Sequence, residues 1–346
     1  MDQATAAPLL EIAEQARADM RGLDKSMAIE TLESRYADLL SALDWYLAEG
    51  HIALADRLAT ALVPFWMATK RIDDGDRWFA RALPDPVLDV RRARAVHDHG
   101  YLVFWAGRYE LAAARFEQAR ALAADAGDRT VVALALAGLA RVALNDDPLE
   151  AVRLLREGLD ASEGTDDRDG RSSVMHVLGV ALQMSGDLEG ARDVMSERMA
   201  LGRASGDAFV VWVESANLSM VERQLGNLDR AASLAIESLR LIGDGSDEMA
   251  IAWGINGLAA VIAAKGDHHR AATMLGLAAA MLERAGGEWP PDEREQYEAT
   301  MRLLRGTLDP IDLEAGRAAG ASMSREDGVT FVLADEGDRP DRGAVS

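Results

Sequence analysis

One turn motif recurs at a fixed interval of about 40 residues and constrains the fold of this chain more than any other feature. Gly186, Gly226 and Gly266 are evenly spaced at this interval, and an alanine follows each glycine five positions later. A fixed period of roughly 20 to 50 residues is typical of solenoids, whose units bury their apolar faces only against their neighbours. The glycine is suited to end one helix in a left-handed conformation, and the Asp or Asn after it is suited to cap the next helix.

The positions of the alanine of this motif indicate how many repeats the chain contains. Ala112, Ala151, Ala191, Ala231 and Ala271 follow one another at nearly the same interval, which indicates five helix pairs. A hydrophobic content of 49% with only 5% aromatic residues favours close-packed helices over sheets. We therefore predict an all-α fold, a solenoid of helix pairs with a period of about 40 residues.

Prolines and composition set the predicted boundaries around this array. Two prolines so close together do not continue a helix, so Pro84-Asp85-Pro86 is expected to close an irregular N-terminal part. A polar C-terminal segment that contains Gly and Pro predicts disorder. The expected organisation is residues 1–86, irregular N-terminal helices that lead into the array; 87–289, the five helix pairs; 290–335, capping helices; and 336–346, a disordered tail.

The N-terminal part departs from the regular repeat. Its apolar spacing predicts helices over about residues 7–20, 26–49, 52–69 and 73–83. At the turn between the last two, Lys70 stands where the glycine is expected and Gly75 stands where the alanine is expected.

The loops between helix pairs have a pattern of their own. Gly127-Asp128, Asp169-Gly170, Gly206-Asp207 and Ser246-Asp247 each precede an apolar helical segment. A glycine that ends one helix and an aspartate that caps the next account for these loops without a ligand. Near the C-terminus, Ser324 with Asp327 predicts a capping box.

One of the turns carries a family pattern. Gly107-x-Tyr109-x-x-Ala112, with Gly100 before it and Phe116 after it, resembles the tetratricopeptide repeat. The resemblance implies that the all-α fold is a right-handed superhelical solenoid of tetratricopeptide-like helix pairs, with a period of about 40 residues in this chain. The family has a repeat of roughly 34 residues, so the longer repeat of this chain predicts longer helices or loops.

A second resemblance covers most of the chain. Residues 28–45 (AIETLESRYADLLSALDW), Phe65-Trp66, the segment 75–83 (GDRWFARAL), and residues 278–283 followed by Pro290-Pro291 and Tyr297 look like the C-terminal helical-repeat region of large bacterial transcriptional activators of the LuxR and antibiotic-regulator type. The resemblance implies a region that lies C-terminal to a nucleotide-binding switch module and senses inducers or partner proteins.

This chain departs from those activators in two respects. It contains no Gly-x-x-x-x-Gly-Lys-Ser/Thr phosphate loop and no recognisable helix-turn-helix pattern. ATP hydrolysis and DNA binding are therefore not carried over from the resemblance. The chain is either a free-standing sensor arm or one piece of a longer regulator.

The charge balance limits the partners. A formal net charge of −21 and a pI near 4.7 disfavour nucleic acid and anionic membranes, since both attract Lys and Arg. A basic protein surface or a cationic peptide is compatible with that charge, and so is the simpler interpretation that excess acid keeps a long surface soluble. The sequence has no cysteine and no apolar segment of about 18 residues, so a cytoplasmic protein is expected.

No group of residues predicts catalysis, a cofactor or a metal. His97 and His99 are two positions apart, and on a helix such side chains point in nearly opposite directions and do not share one ion. His268-His269 is expected to be solvated at a turn, and Ser173 and Ser322 have no base at a recognisable spacing. We therefore expect a protein that is not an enzyme.

A binding groove is the better-supported site, because the first helix of each pair lines the concave face in tetratricopeptide-like arrays. Counting back from each turn to the same positions gives a mixed set of aromatic, methionine and polar residues, suited to a peptide or a small ligand. This set is Arg94, His97, Tyr101, Phe104, Trp105, Ser173, His176, Gln183, Met184, Met220, Arg223, Gln224, Trp253 and Asn256. The alternative for each apolar member is simple packing against the neighbouring helix.

Two functions remain open from the sequence. The first is a non-enzymatic interaction or sensor module that binds a peptide, a small inducer or a partner protein in its concave groove, within bacterial transcriptional regulation. The second is a self-associating scaffold, a homodimer through the helices of residues 1–83, with no small ligand.

Overall fold

The chain is helical throughout the part that the structure describes. The computed structural model describes residues 1–20, 25–83, 87–144, 146–165, 168–242, 248–289 and 291–334, and within these ranges it contains helices and no strand. Contacts divide the chain into two compact units, residues 1–209 (unit 1) and 210–346 (unit 2). The predictions at Pro84–Pro86, Ser246-Asp247, Pro290 and the tail 336–346 fall outside the described residues.

Unit 1 contains eleven complete α-helices and one 3-10 helix within the described ranges. They are α1 (Gln3–Asp19), α2 (Ser26–Ser34), α3 (Tyr36–Ala48), α4 (Ile52–Ala68), α5 (Ile72–Ala82), the 3-10 helix (Val90–Arg92), α6 (Ala93–Trp105), α7 (Tyr109–Ala126), α8 (Arg129–Ala143), α9 (Pro148–Ser162), α10 (Arg168–Ser185) and α11 (Leu188–Ser205).

Helix α12 (Ala208–Gln224) begins in the last residues of unit 1 and continues as the first helix of unit 2. The helices that follow are α13 (Leu228–Ile242), α14 (Glu248–Ala264), α15 (His268–Arg284), α16 (Pro291–Thr307), α17 (Pro310–Ala321) and α18 (Arg325–Leu333). No helix of the described residues is both long enough and apolar enough to cross a membrane.

The regular helices of unit 1 pack against their neighbours in the chain and against the helices two positions away. From α6 to α11 the consecutive helices are in contact, and α4, α6, α8 and α10 contact one another in that order. The five alanines after the turns, at positions 112, 151, 191, 231 and 271, are all fully buried. A larger side chain there would separate the two helices of a pair, so the small residue is a packing requirement. The prediction of an all-α solenoid of tetratricopeptide-like helix pairs is confirmed.

The turns have the predicted chemistry. Gly107, Gly186, Gly226 and Gly266 have φ angles of 75° to 93°, in the left-handed region that glycine adopts without strain. The turn before α9 has Asp146 in place of the glycine. At this turn and at two of the glycine turns, the side chains of Asp147, Asp187 and Asp267 accept a hydrogen bond from the backbone N–H three residues later, which satisfies one free donor of the next helix.

One predicted loop was wrong. Gly170 lies inside α10 and is buried, whereas the glycine in the left-handed conformation is Gly164, with φ of 72°. Both sites have a nearby aspartate, and the sequence pattern does not distinguish a glycine that ends a helix from one that follows its start. The two glycine-first loops in unit 1 are as predicted: Gly127 and Gly206 have φ of 70° and 73°, and the Asp128 side chain accepts from the Val131 N–H.

The irregular turn in the N-terminal part keeps the same backbone with different residues. Lys70 has φ of 59° and is the one non-glycine residue with positive φ in the described part of the chain. Gly75 is required by packing, because a Cβ atom there would lie 2.5 Å from the Trp66 ring. The tryptophan occupies the volume that a Cβ occupies in the regular repeats.

Two helix boundaries differ from the predictions. Helix α1 starts at Gln3, because the Asp2 side chain accepts a hydrogen bond from the Thr5 N–H and begins the helix before Ala7. The helix predicted over residues 26–49 is broken at Arg35, which has φ of −115° and ψ of 6°. The break lies next to Tyr36, whose hydroxyl donates to Asp74 at 2.8 Å and accepts from the Trp66 Nε1–H at 3.0 Å.

Unit 2 ends in a cap around α15. This helix contacts α14, α16, α17 and α18, and all of its large apolar side chains are buried in a single hydrophobic core. At Gly276 of α15 a Cβ atom would lie 2.1 Å from the Arg317 carbonyl oxygen of α17, so these two backbones approach more closely than any side chain allows. Ser324 caps α18 by accepting from the Asp327 N–H, as predicted.

Candidate ligand-binding cavity

Unit 1 contains a cavity of about 500 Å³ whose walls come from α1 and from every second helix that follows α2. The lining side chains lie on α4, α6, α8 and α10, on the end of α1, and at Lys25 before α2. Most of the wall is apolar, and its polar part is Arg17, Lys25, Thr60, Arg94, His97, Asp98, Tyr101, Arg141 and Ser173. Helices α3, α5, α7 and α9 contribute none of the lining residues and support the wall from behind.

Four residues predicted for the groove lie in this wall. Arg94, His97 and Tyr101 are successive positions on one face of α6, and Ser173 lies across the cavity on α10. They come together because side chains three or four positions apart on a helix share one face. The structure therefore brings these predicted residues to one concave surface, and their role in binding stays a prediction.

Asp98 is the centre of a polar cluster on α6. Its carboxylate accepts hydrogen bonds from the Arg94 Nε–H at 2.9 Å and from the Thr60 hydroxyl at 2.7 Å. The same carboxylate lies 3.0 Å from His97 Nδ1. Burial alone would raise the pKa of Asp98, but the charge of Arg94 and these hydrogen bonds hold the pKa well below its usual value. Burial lowers the pKa of His97, so at neutral pH its ring is uncharged.

Arg141 of α8 is the most unusual charge in the wall. It is partly buried, its Nη2 donates to the Ser173 hydroxyl at 3.4 Å, and its guanidinium lies 5.9 Å from the centre of the Tyr101 ring. Burial lowers the pKa of Arg141, and no carboxylate of the described residues forms an ion pair with it. An Arg side chain stays charged even so, because its ordinary pKa is above 12.

The wall has a periodicity that the turn-based count of positions does not reproduce. Leu134, Ala137, Gly138 and Arg141 follow Arg94, His97, Asp98 and Tyr101 by one full period of the repeat each. The interval from Ala112 to Ala151, which contains α8, is one residue shorter than the intervals that follow it. Counting back from the turn after α8 gives Ala140 in place of Arg141. Adding the full period to Tyr101 is the sequence signal that identifies Arg141.

The other residues predicted for the groove in unit 1 lie away from this cavity. Phe104 is partly buried and its ring packs against Trp105 and Tyr109, and Trp105 is 53% exposed. His176 and Gln183 are partly buried on α10, and Met184 is 46% exposed. Except for His176, which lies in the middle of α10, these side chains lie toward the carboxyl ends of their helices, and none of them lines the cavity.

The histidines of His97-Asp98-His99 point to different partners, as their spacing predicts. His97 faces the rings of Tyr101 and Phe116, whereas His99 stacks on Phe79 and bonds through Nε2 to Asp76 at 2.8 Å. In the part of the chain that the structure describes, no group of three or more His, Asp or Glu side chains is placed to hold a metal.

A second, smaller cavity lies within unit 2. It has a volume of about 180 Å³ and is lined by residues of α12, α13, α14 and α16, among them Trp212, Met220 and Trp253. Met220 and Trp253 belong to the predicted groove set. Asn256 is fully buried, and its amide donates to the backbone carbonyl and the carboxylate of Glu293 on α16.

Several buried polar atoms around this smaller cavity have no hydrogen-bond partner within the described protein. They are Asn217 Nδ2, Ser238 Oγ, Trp253 Nε1 and Gln296 Oε1, all from lining residues. A buried polar atom left without a partner costs about 1 to 3 kcal/mol, so these four atoms are unfavourable features of a cavity whose lining is mainly apolar. The remaining predicted residues, Arg223 and Gln224, are partly buried and exposed respectively at the end of α12.

Among curated proteins, the chain is similar to one protein of Mycobacterium bovis and two of Mycobacterium tuberculosis that carry the name HTH-type transcriptional regulator. Each is 28% identical over 224 residues, which is 62% of this chain and 25% of the relative. The chain therefore spans about a quarter of the length of these relatives. No family model matches the chain.

Solved structures show the same fold at low sequence identity. The Cut9–Hcn1 hetero-tetramer of the APC/C has a TM-score of 0.56 at 15% identity, covering 79% of this chain and 48% of that one. A signal transduction ATPase with a tetratricopeptide repeat sensor from Pyrococcus horikoshii has a TM-score of 0.53 at 11%, covering 92% and 55%. NprR in complex with its cognate peptide NprX has 0.50 at 12%, covering 85% and 90%.

Together these comparisons describe the chain as a tetratricopeptide-like repeat protein that is similar to a stretch of bacterial transcriptional regulators. They agree with the resemblance found in the sequence to the helical-repeat region of such regulators.

Proposed function

We propose that the chain is a non-enzymatic sensor module of bacterial transcriptional regulation, and that the cavity of unit 1 is its binding site. One observation carries the proposal. The cavity is a concave space of about 500 Å³, within the range of roughly 300 to 1,000 Å³ that small-ligand sites occupy, and apolar side chains and converging polar side chains line it together.

The relatives support the regulatory part of this proposal, and the fold supports the binding part. A solenoid of helix pairs offers a concave surface to which successive helices each contribute one row of side chains. Here that row is α4, α6, α8 and α10. Among the solved neighbours, NprR holds its cognate peptide and the Pyrococcus protein carries a tetratricopeptide repeat sensor. A small inducer or a short peptide fits the volume.

Native mass spectrometry of the chain, with a matched pair of variants, tests the site. Ala68 is the exposed last residue of α4 and lines the cavity, whereas Ala48 is the exposed last residue of α3 and does not. We expect a co-purifying mass that leaves on mild denaturation. Ala68→Trp should reduce its occupancy at least several-fold by filling the opening, and Ala48→Trp should leave it unchanged.

Two results would contradict the proposal. A chain that carries no bound mass and binds no member of a short-peptide or metabolite panel would remove the sensor function. A bound mass lost equally in both variants would place the binding site elsewhere, since the two substitutions differ only in their distance from the cavity.

The self-associating scaffold has less support. Among the described residues from 1 to 83, the large apolar side chains exposed to solvent are Met1 and Met27. A stable interface buries about 800 Å² on each partner with an apolar centre, and two methionines do not provide one. Light scattering separates the alternatives, because a constitutive dimer without a bound mass would favour the scaffold.

A further inference from the structure

The cavity of unit 1 concentrates positive charge in a chain that is strongly acidic overall. Among the residues that the structure describes, four cationic side chains line it, Arg17, Lys25, Arg94 and Arg141, and the one carboxylate is Asp98. The whole chain has a net charge of −21. If the lining were drawn from the composition of the chain, carboxylates would outnumber cations. The reversal of sign at the concave surface indicates selection for what binds there.

The carboxylate of Asp98 neutralises the charge of the adjacent Arg94, and it does not neutralise the other cations of the wall. It is occupied by the Arg94 guanidinium, the Thr60 hydroxyl and the His97 ring, at 2.7 to 3.0 Å. Those contacts lie on α4 and α6, and Arg141 is not among them. The charges of Arg94 and Asp98 therefore compensate each other, and Asp98 does not compensate the charge of Arg141.

Arg141 faces the cavity with no carboxylate paired to it among the described residues. Its protein contacts are the Ser173 hydroxyl at 3.4 Å and the face of Tyr101 at 5.9 Å, and the nearby Arg198 has the same sign. A partly desolvated guanidinium next to a hydroxyl is costly by itself, and it becomes favourable when an oxyanion accepts its N–H groups. The planar fork of Arg matches carboxylate and phosphate oxygens in pairs.

We propose that the cavity of unit 1 binds a ligand through an oxyanion head group, a carboxylate or a phosphate, held by Arg141 and the Ser173 hydroxyl. The apolar body of the ligand lies against Val63, Met67 and Leu134, which form the apolar part of the same wall. Lys25, whose ammonium lies 5.4 Å from the Phe209 ring, adds a cation at the edge of the cavity. This inference rests on the proposed function and specifies the ligand's chemistry.

The test uses three probes of nearly the same shape: benzoate, phenyl phosphate and the neutral benzamide. We expect benzoate or phenyl phosphate to bind the full chain in ligand-detected NMR or calorimetry, with benzamide at least about tenfold weaker, because a hydrogen bond to a charged group is worth roughly 1.5 to 3 kcal/mol. The relative affinity of the two anions identifies the head group. Binding should weaken as NaCl is raised.

Two variants assign the effect to one side chain. Arg141→Gln should weaken the anion about 10- to 100-fold and leave benzamide unchanged. The control is Arg120→Gln, because Arg120 is an exposed arginine on α7 that pairs with Glu117 and lies outside the cavity. It should bind both anions as the unmodified chain does.

The proposal is overturned if benzamide binds as tightly as the more tightly bound of the two anions, if none of the three probes binds, or if Arg141→Gln keeps the affinity for the anion. Should Arg141→Gln fail to fold, the comparison of the three probes on the unmodified chain decides the question by itself. A neutral ligand found by native mass spectrometry, insensitive to Arg141→Gln, would leave the sensor function standing and remove the oxyanion.

Discussion

At the scale of single residues, the two buried serines of the unit 2 cavity show how differently identical side chains are used. Ser219 on α12 is 3% exposed, and its hydroxyl donates to the Ala231 carbonyl oxygen at 2.8 Å. Ser238 on α13 is 2% exposed, and its hydroxyl has no partner within the described protein. The first hydroxyl joins two helices, whereas the second only lines a cavity.

Replacement of each serine by alanine should therefore have different effects on stability. We expect Ser219→Ala to lower the free energy of unfolding by about 1 to 2 kcal/mol, because it removes a buried hydrogen bond and leaves a carbonyl without its donor. Ser238→Ala should be neutral or stabilising by up to about 1 kcal/mol. Urea denaturation of both variants measures the difference, and the change in helix propensity is common to both. Equal effects would mean that Ser238 has a partner of similar strength.

At the scale of secondary-structure elements, one turn has a lysine in the left-handed conformation that glycine adopts without strain. The helix end at Lys70 has the same left-handed backbone as the turns that end at Gly50 and Gly107, with φ of 59° against 75° in both glycines. The Arg71 N–H still donates to the Trp66 carbonyl oxygen at 2.8 Å, so the turn is formed in full. Its cost is the strain of a Cβ atom in that conformation.

Lys70→Gly should stabilise the chain by about 0.5 to 1 kcal/mol, because relief of that strain exceeds the entropy that a glycine loses on folding. The reciprocal variant Gly50→Lys, at the preceding turn, is the control and should destabilise by a similar amount. Thermal unfolding of the two variants measures both effects. A destabilised Lys70→Gly would show that the Lys70 side chain makes a contact that outweighs its backbone strain.

The same elements show what the sequence can and cannot predict. The turns and buried alanines were predictable because left-handed backbone and close helix packing each require one residue type, which recurs with the period. The break at Arg35 and the earlier start of α1 were missed, since neither disturbs the apolar spacing. Gly170 was misassigned because two glycines lie close to the end of α9, at positions 164 and 170.

The wall of the unit 1 cavity was predictable only in part. Arg94, His97, Tyr101 and Ser173 were found because the first helix of each pair lines the concave face. Arg141 was missed because the interval from Ala112 to Ala151 is one residue shorter than those that follow it. Counting back from the turn after α8 therefore gives Ala140 instead of Arg141. The side chains of α1 and α4 were missed because that part of the chain has no regular period.

At the scale of the whole molecule, two opposing effects act when the pH falls. Protonation of carboxylates reduces the repulsion of an acidic chain, but between pH 7 and 5.5 carboxylates with ordinary pKa values hardly titrate. Buried histidines do. Burial lowers the pKa of both His97 and His99 below the usual value of 6.5, so the unfolded chain takes up protons that the folded chain does not.

The free energy of unfolding should therefore fall as the pH falls below about 6.5, by up to about 1.4 kcal/mol per pH unit for each such histidine. Denaturation at pH 7.0 and pH 5.5 measures this loss. His99→Gln should reduce it, and His51→Gln, which changes an exposed histidine, should not. A loss that is the same in all three chains would mean that groups other than His99 take up the protons.

The alternation of helices around the unit 1 cavity has a consequence for how such chains can diverge. The side chains that line this cavity lie mainly on α4, α6, α8 and α10, and the alanines and caps that hold the pairs together lie mainly on the intervening helices and turns. Substitutions that change the cavity wall and substitutions that change folding therefore fall at largely separate positions. Under the proposed function, a lineage can exchange the residues at 94, 97, 101 or 141 and acquire a new ligand while the architecture that presents them is inherited intact.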